Sequence, residues 1–153
     1  MTMTDDHLAT QQRAQTAQAN AIKALRRCIE HYCDNKQPRG IREGTCLYEH
    51  GGRRCAVGLL LHNAGKMIPE LASFEGNVDD VRNDLDGGDA LLDSLGPFPE
   101  RFLDSLQLAH DGTSDCSIGL SCETGMPDIA PDKLRERFTA VAKAFDLADL
   151  MGL

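Results

Sequence analysis

Most hydrophobic residues of this chain recur at intervals of three and four positions, the spacing that places them on one face of an α-helix. The first such run lies within residues 1–33, where alanines and Cys28 widen the apolar stripe. Its first half is rich in glutamine and alanine, which favour a helix but offer little apolar surface to bury. The run predicts one long N-terminal helix that projects from the domain or self-associates. Its spaced apolar residues are Ile22, Leu25, Ile29 and Tyr32.

The same spacing predicts further helices in residues 68–95. Asn77, followed three positions later by Asp80, is typical of a helix N-cap with a carboxylate in the first turn. The apolar positions continue through this segment, but the Gly87-Gly88 pair interrupts them. We therefore expect a helix that begins after Asn77, breaks at the two glycines and resumes as far as Leu95.

Two proline residues mark the helices of the C-terminal third. Pro99 suits the first turn of a helix whose apolar stripe leads to Gly112, where the helix is expected to end. Pro131 is expected to open the last helix. The intervening residues 112–130 are rich in glycine, serine, threonine and proline, and they are predicted to be mostly loop.

One short segment has the features of a β-hairpin. Two β-prone runs begin at Thr45 and Arg53, and the Gly51-Gly52 pair between them favours a tight turn. The second run is expected to turn directly into a helix that reaches Leu61. The sequence thus predicts a mainly α-helical fold of four to five helices, with a small β-hairpin around residues 45–56.

The length and composition indicate a single domain of residues 1–153, made of the long helix and a body at residues 40–147. A hydrophobic fraction of 41% is enough for a core, and only 5% of the residues are aromatic, so the core is expected to be mainly aliphatic. The polar, acidic N-terminus lacks the pattern of a secretory signal, and the longest apolar run, Ala56–Leu61, is too short for a membrane span. We expect a soluble, cytoplasmic protein.

The net charge of −8 is unevenly distributed along the chain. Residues 23–54 contain eight basic and four acidic residues, whereas residues 68–132 contain fifteen acidic and two basic residues, a net charge of −13. This balance argues against direct binding of nucleic acid, because a nucleic-acid-binding domain is normally basic. One interpretation of the acidic segment is a solvated surface that keeps the protein soluble.

The other interpretation is a surface that binds a partner protein with a basic surface, since complementary charge speeds association and selects partners. On this interpretation the protein is a non-enzymatic acidic binding protein, and its contact residues lie in the acidic segment. The candidate contact residues are Asp79, Asp80, Asp84, Asp86, Asp89, Asp93 and Asp104. A homo-oligomer formed through the N-terminal helix is a further possibility.

Cys55 is the best candidate for a catalytic residue, and it makes a thiol-dependent enzyme the alternative function. It follows Arg53 and Arg54 and precedes a predicted helix, two features that favour the thiolate. His110 is a candidate base, with Asp111 as the residue that orients it. Neighbours on a helix point in different directions, however, which argues against a relay between these two. The competing interpretation is that Cys55 is a small buried thiol in the core.

A metal site is the second chemical alternative, although no cofactor is required by the sequence. The six cysteines have none of the C-x2-C spacing that is typical of a zinc site, but side chains from distant segments can still assemble one. The candidate zinc ligands are Cys46, Cys55 and His110, with His50, Cys116 or Cys122 completing the set.

Several motifs occur in a recognisable order. They are Cys46-Leu47-Tyr48, Arg54-Cys55-Ala56-Val57-Gly58, Glu75-Gly76 and Leu106-Gln107-Leu108-Ala109-His110-Asp111. In this order, over residues 40–147, the chain resembles a family of small uncharacterised proteins of bacteria and their phages. The resemblance implies an origin in a phage or mobile element, where small acidic proteins that inhibit host machinery recur. It implies no activity.

Overall fold

The chain is mainly helical in the computed structural model, which describes residues 3–42, 45–123 and 129–153. Eight α-helices and two two-residue strands are present in this part of the chain. The helices are α1 (Met3–Cys28), α2 (Ala56–Asn63), α3 (Pro69–Ala72), α4 (Val78–Asp84), α5 (Gly88–Asp93), α6 (Phe102–Asp111), α7 (Pro131–Ala144) and α8 (Ala148–Met151). The strands are β1 (Ile41–Arg42) and β2 (Thr45–Cys46), a π-helical turn (Ile29–Asp34) continues α1, and a 3₁₀ turn covers Cys116–Ile118.

The long N-terminal helix is confirmed, and it projects from the body. Every side chain from residue 5 to residue 16 is exposed, and the first buried one is Ala17. From there the apolar stripe packs onto the core, with Ala21, Leu25 and Cys28 almost fully buried. The helix therefore has two parts, an exposed glutamine-rich part and an anchored part, as its composition predicts.

The predicted β-hairpin around residues 45–56 is wrong. Thr45–Cys46 pairs with Ile41–Arg42, which precedes it in the chain, and not with the segment after the Gly51-Gly52 turn. That turn is closed by a single antiparallel bridge between His50 and Arg53. The second run cannot extend the pairing, because helix α2 begins immediately after Cys55.

Helix α2 is fixed at its beginning by Cys55 and by Gly58. The sulfur of Cys55 accepts a hydrogen bond from the Gly58 backbone N–H at 3.4 Å, which caps the helix. Gly58 lies against the Tyr48 carbonyl so closely that a Cβ atom would come within 2.0 Å of the oxygen. Only glycine fits here, and it lets the chain at Tyr48 cross directly over α2.

Before α6, the acidic segment forms three short helices, so the number of helices in the described residues is higher than the four to five predicted. The expected cap is present: Asn77 and Asp80 form a reciprocal capping box at the beginning of α4. The expected break is present too, because Gly87 has a left-handed backbone with a φ of 73° between α4 and α5. Helix α3, opened by Pro69, was not predicted.

Helix α6 begins three residues later than the sequence predicts. Pro99 lies in a separate turn, and Arg101 has a left-handed φ of 65°, so the two cannot belong to one continuous helix with Phe102. Its predicted end at Gly112 and the beginning of α7 at Pro131 are both confirmed. Of the predicted loop, the described residues 112–123 are loop apart from the short 3₁₀ turn.

One core joins α1, α2, α6 and α7. Aliphatic residues predominate in it, and a few aromatic rings connect the elements. Phe102 meets Phe145 edge-to-face with ring centres 5.4 Å apart, and Tyr32 stacks on Phe138 at 6.3 Å. Among the described residues, none of the helices is both long and apolar enough to cross a membrane.

Candidate functional site

The proposed nucleophile Cys55 is completely buried. Its exposed fraction is 0%, and it belongs to the same apolar cluster as the leucines of α2 and α6. Its sulfur is occupied by the Gly58 N–H that it caps. A substrate would have no access to this thiol, so the geometry agrees with the interpretation of Cys55 as a structural core residue.

His110 is also fully buried, and both of its ring nitrogens have partners. Nδ1 lies 2.7 Å from Oδ1 of Asp111, and Nε2 accepts a hydrogen bond from the Gly40 backbone N–H at 3.3 Å. Since Nε2 is the acceptor, the ring proton sits on Nδ1 and is donated to Asp111. His110 therefore has no nitrogen left to act as a base toward Cys55.

The sequence argued against a relay between His110 and Asp111, yet the two side chains are in contact, with Nδ1 of His110 2.7 Å from Oδ1 of Asp111. Asp111 is the last residue of α6, and its carboxylate is also bonded by the side-chain N–H of Gln107, one turn earlier, at 2.9 Å. That second bond turns the carboxylate back along the helix, where the imidazole reaches it. The pair has the arrangement of a base and its orienting acid, but the ring nitrogen that would act as the base, Nε2, contacts the backbone N–H of Gly40.

The motif residues form one buried hydrogen-bonded framework. Oε1 of Gln107 accepts a bond from the Val57 N–H in the first turn of α2 at 3.1 Å, which holds α2 against α6. The hydroxyl of Tyr48 donates to the Gly76 carbonyl at 3.2 Å. The sequence motifs thus mark the contacts between elements: the residues from four separate motifs bond to one another or to the segment around Gly40.

Gly40 is held as tightly as Gly58. A Cβ atom at this position would lie 2.2 Å from the Cys55 backbone nitrogen and 2.5 Å from the Leu47 carbonyl oxygen. The Leu47 N–H donates to the Gly40 carbonyl at 2.7 Å, and the Cys55 N–H donates to the Leu47 carbonyl at 3.0 Å. His110 therefore bonds a point where three chain segments meet.

The proposed zinc ligands do not form a site in the described part of the chain. No group of three or more histidine, cysteine or acidic side chains suited to a metal is found there. The side chain of Cys46 lies outside the described residues, and the described candidates Cys55 and His110 already bond the backbone. Cys116 and Cys122 are exposed, as is His50 in the Gly-Gly turn.

Cys28 and Cys33 contribute to the core as uncharged thiols. Burial raises the pKa of Cys28 far above its ordinary value, and the nearby Cys55 and Cys33 raise it further. Burial also raises the pKa of Cys33, to about 11. Both thiols are protonated at neutral pH, which is the form that packs well among apolar side chains.

Arg137 is a buried charged residue that the sequence analysis missed. Only 3% of it is exposed, and its guanidinium group donates hydrogen bonds to four backbone carbonyls, those of Ala109, Ser121, Leu108 and Thr113, at 2.6 to 3.1 Å. Glu123 lies 3.9 Å from it. Its position between Leu134 and Val141, on the apolar stripe of α7, was the sequence signal for burial.

The candidate acidic residues fall into three groups in the structure. Asp79, Asp93 and Asp104 line one surface groove of about 390 Å³, and Asp89 joins them through Arg82. Asp80 is committed to the cap of α4. The remaining two, Asp84 and Asp86, are exposed at the connection between α4 and α5 and do not line the groove.

The groove lies between α4, α5 and the beginning of α6. Apolar residues of the segment before α6, including Phe98, form part of its wall, and the charged residues surround them. Two arginines that the sequence analysis did not select, Arg82 and Arg101, also line it. Arg82 bonds Asp89 at 2.8 Å and Asp93 at 3.4 Å, and these two bonds raise its pKa even though partial burial opposes its charge.

The surroundings of Asp104 in the groove disfavour its ionised form. Partial burial raises its pKa above the ordinary value, and the nearby carboxylate of Asp79 raises it further. Arg101 and Arg82 act in the opposite direction but do not cancel these effects. A cation from outside that reached this carboxylate would be bound favourably, because it would relieve the repulsion.

The chain matches no family model, and neither curated proteins nor solved structures include a significant match to it.

Proposed function

We propose that this protein is a non-enzymatic acidic binding protein that engages a basic surface of a macromolecular partner through the groove between α4, α5 and α6. In keeping with the motif resemblance, we place it among cytoplasmic proteins of phage or mobile-element type that inhibit host machinery. The observation that carries the proposal is the convergence of Asp79, Asp93 and Asp104 on one groove beside the half-buried Phe98.

The charges of this region favour a partner over a merely solvated surface. A fully solvated carboxylate at the surface does not reduce the stability of the folded protein. Asp104, in contrast, is partly buried next to Asp79, and this position destabilises its ionised form. An arginine or lysine of a partner would compensate this charge and would be shielded from water by the Phe98 side of the groove.

Two further aspartates extend the negative field beyond the groove. Asp84 and Asp86 form no ion pair with any described residue, and both are exposed. Charges of this kind contribute little affinity at contact, but they steer a basic partner toward the groove. We propose that Asp84 and Asp86 increase the rate of association and that the groove carboxylates lengthen the lifetime of the complex.

The burial of the alternative catalytic residues supports a binding function over a thiol enzyme. Cys55 and His110 each have an exposed fraction of 0% and bond the backbone. The Cys55 bond caps α2, and the His110 bond joins α6 to the Gly40 segment.

The proposal is tested by affinity capture from a bacterial lysate with quantitative mass spectrometry. The groove variant carries D79K and D93K in the groove and D84K beside it, and it leaves the capping residue Asp80 intact. The matched control carries E70K, E136K and D149K, which change the net charge equally at exposed positions outside the groove. We expect the control to retain a basic protein that wild type captures and the groove variant to lose it.

Equal capture of every protein by the groove variant and by wild type would overturn the proposal. Circular dichroism of all three proteins establishes that they are folded. Purified partner is then titrated at two salt concentrations. Steering by Asp84 and Asp86 predicts that salt slows association more than it speeds dissociation.

A further inference from the structure

Helix α1 carries an exposed face that the acidic groove does not involve. Positions 8, 12, 15, 19, 22 and 26 lie on this face and alternate in steps of four and three, the spacing of a helix that pairs with another helix. They are Leu8, Gln12, Gln15, Ala19, Ile22 and Arg26. All are exposed except Ile22, which is half-buried, and Leu8 is one of the large apolar residues most exposed to solvent, at 50%.

The half of this face nearest the body forms a shallow groove of about 440 Å³. Ala19 and Ile22 line it, and Lys23 and Arg26 border it. The small side chain of Ala19 leaves room for another helix to approach closely. The groove is therefore shaped for a helical occupant with an apolar side chain that covers Ile22.

The face is self-complementary when two copies run in opposite directions. Leu8 and Ile22 are each seven residues from Gln15, so a two-fold axis at Gln15 places Leu8 of one copy over Ile22 of the other. Gln15 of one copy then faces Gln15 of the other, and the two side chains can exchange hydrogen bonds.

The charges at the two ends of the face agree with this direction. Asp5 is at the free end, whereas Lys23 and Arg26 are at the end nearest the body. The axis at Gln15 brings Asp5 of one copy between Lys23 and Arg26 of the other, twice in each dimer. Parallel helices would instead bring acidic ends together and basic ends together.

A second helix would also account for the helical structure of the free end. Residues 5–16 have no buried side chain, so this part of α1 gains no stability from packing within its own chain, which is the main source of helix stability in proteins. Two copies laid side by side along most of the 26-residue helix would support each other over about 30 Å or more.

We infer that the protein forms an antiparallel homodimer through the Leu8–Arg26 face of α1. Because the interface has few apolar residues and glutamine at its centre, the dimer is a reversible one that forms as concentration rises. The acidic groove of each copy is lined by residues outside the Leu8–Arg26 face, so the dimer would carry two partner sites.

The test is sedimentation velocity of the full-length protein from about 1 µM to about 1 mM, in wild type and single variants. D5K and R26E each place like charges together at both ends of the dimer. D5K reverses four charge contacts over the two symmetric ends and R26E reverses two, so association is expected to weaken about tenfold in D5K and about threefold in R26E. The matched control is R13E, an exposed Arg→Glu change on the same helix but outside the face.

An equimolar mixture of D5K and R26E provides the decisive measurement. In the mixed dimer, the new lysine meets the new glutamate and Lys23 at one end, and the original aspartate meets the original Lys23 and Arg26 at the other. Association that is stronger in the mixture than in either variant alone, with R13E unaffected, supports the antiparallel dimer. The inference is overturned by a wild type that stays monomeric throughout, by equal association of all variants, or by a mixture no stronger than its components.

Discussion

His110 and Asp111 show how a pair with the arrangement of a catalytic dyad can serve packing. The imidazole donates a hydrogen bond to the carboxylate through one ring nitrogen, and its other ring nitrogen accepts a hydrogen bond from the Gly40 backbone N–H. A histidine is useful here because it bonds in two directions across a planar ring, and the ring also contacts Tyr32 edge-to-face at 4.9 Å. The residue type alone did not distinguish this role from catalysis; burial does.

The glycine at position 58 gives the first stability prediction. G58A places a Cβ atom 2.0 Å from the Tyr48 carbonyl, where neither α2 nor the crossing segment can move without disturbing the core. We expect a loss of about 3 kcal/mol or more in the free energy of unfolding, measured by urea denaturation. G65A is the matched control: its φ of 69° is unfavourable, but its space is open, so about 1 kcal/mol is expected. Equal losses in the two variants would contradict the argument.

The buried arginine gives the second stability prediction. R137M removes four hydrogen bonds to backbone carbonyls, of which the bond to Ala109 is fully buried, and we expect a loss of about 3 to 5 kcal/mol. R135M, two residues away on the same helix, removes only an exposed ion pair with Asp34 and should cost less than about 1 kcal/mol. A small effect of R137M in chemical denaturation would show that the guanidinium is not required to close this end of α6.

At the scale of the elements, the groove charges make stability depend on pH. The raised pKa of Asp104 means that the folded protein holds this proton more tightly than the unfolded chain does. The ionised group therefore opposes folding above its folded-state pKa, and the penalty disappears as pH falls below the ordinary value of 3.8.

D104N should consequently raise the urea midpoint at pH 7, and the gain should vanish on acidification below about pH 3.8. The control is D86N, an exposed aspartate at the α4–α5 connection, which should change the midpoint little at either pH. If D104N were destabilising at pH 7, the carboxylate would be stabilised by its surroundings, and the account of the groove would be wrong.

Elements with local signals were predictable from the sequence, and elements that depend on distant contacts were not. The Asn77 cap, the Gly87 break and the end of α6 at Gly112 follow from residues that act on their own backbone. The hairpin prediction failed because β2 pairs with β1. The alternation of apolar and polar residues can indicate a strand, but it does not determine which of two neighbouring segments the strand pairs with.

The site was predictable in part. The charge asymmetry located the acidic segment, but only the folded chain divides its aspartates into groove, cap and connection. Arg82 was missed because its two partners lie seven and eleven residues ahead, beyond the reach of helical spacing. The pairing depends on the turn at Gly87, which folds α5 back beside α4.

At the scale of the whole molecule, the two proposed surfaces belong to different parts of the chain. The partner groove lies on α4–α6, and the self-association face lies on α1. The substituted residues of the groove variant and of the α1 variants lie on different helices, so the two sets can be combined; any coupling between them would pass through the Asn20–Pro97 hydrogen bond, which joins α1 to the groove segment.

The free end of α1 also determines how the molecule rotates in solution. Residues 5–16 extend about 18 Å from the point where the helix first packs onto the body. A rod attached to a rounded body experiences more friction when it turns end over end than when it spins about its own axis. Tumbling is therefore anisotropic, and a fluorophore attached near residue 8 would report slower end-over-end reorientation than a sphere of the same mass allows.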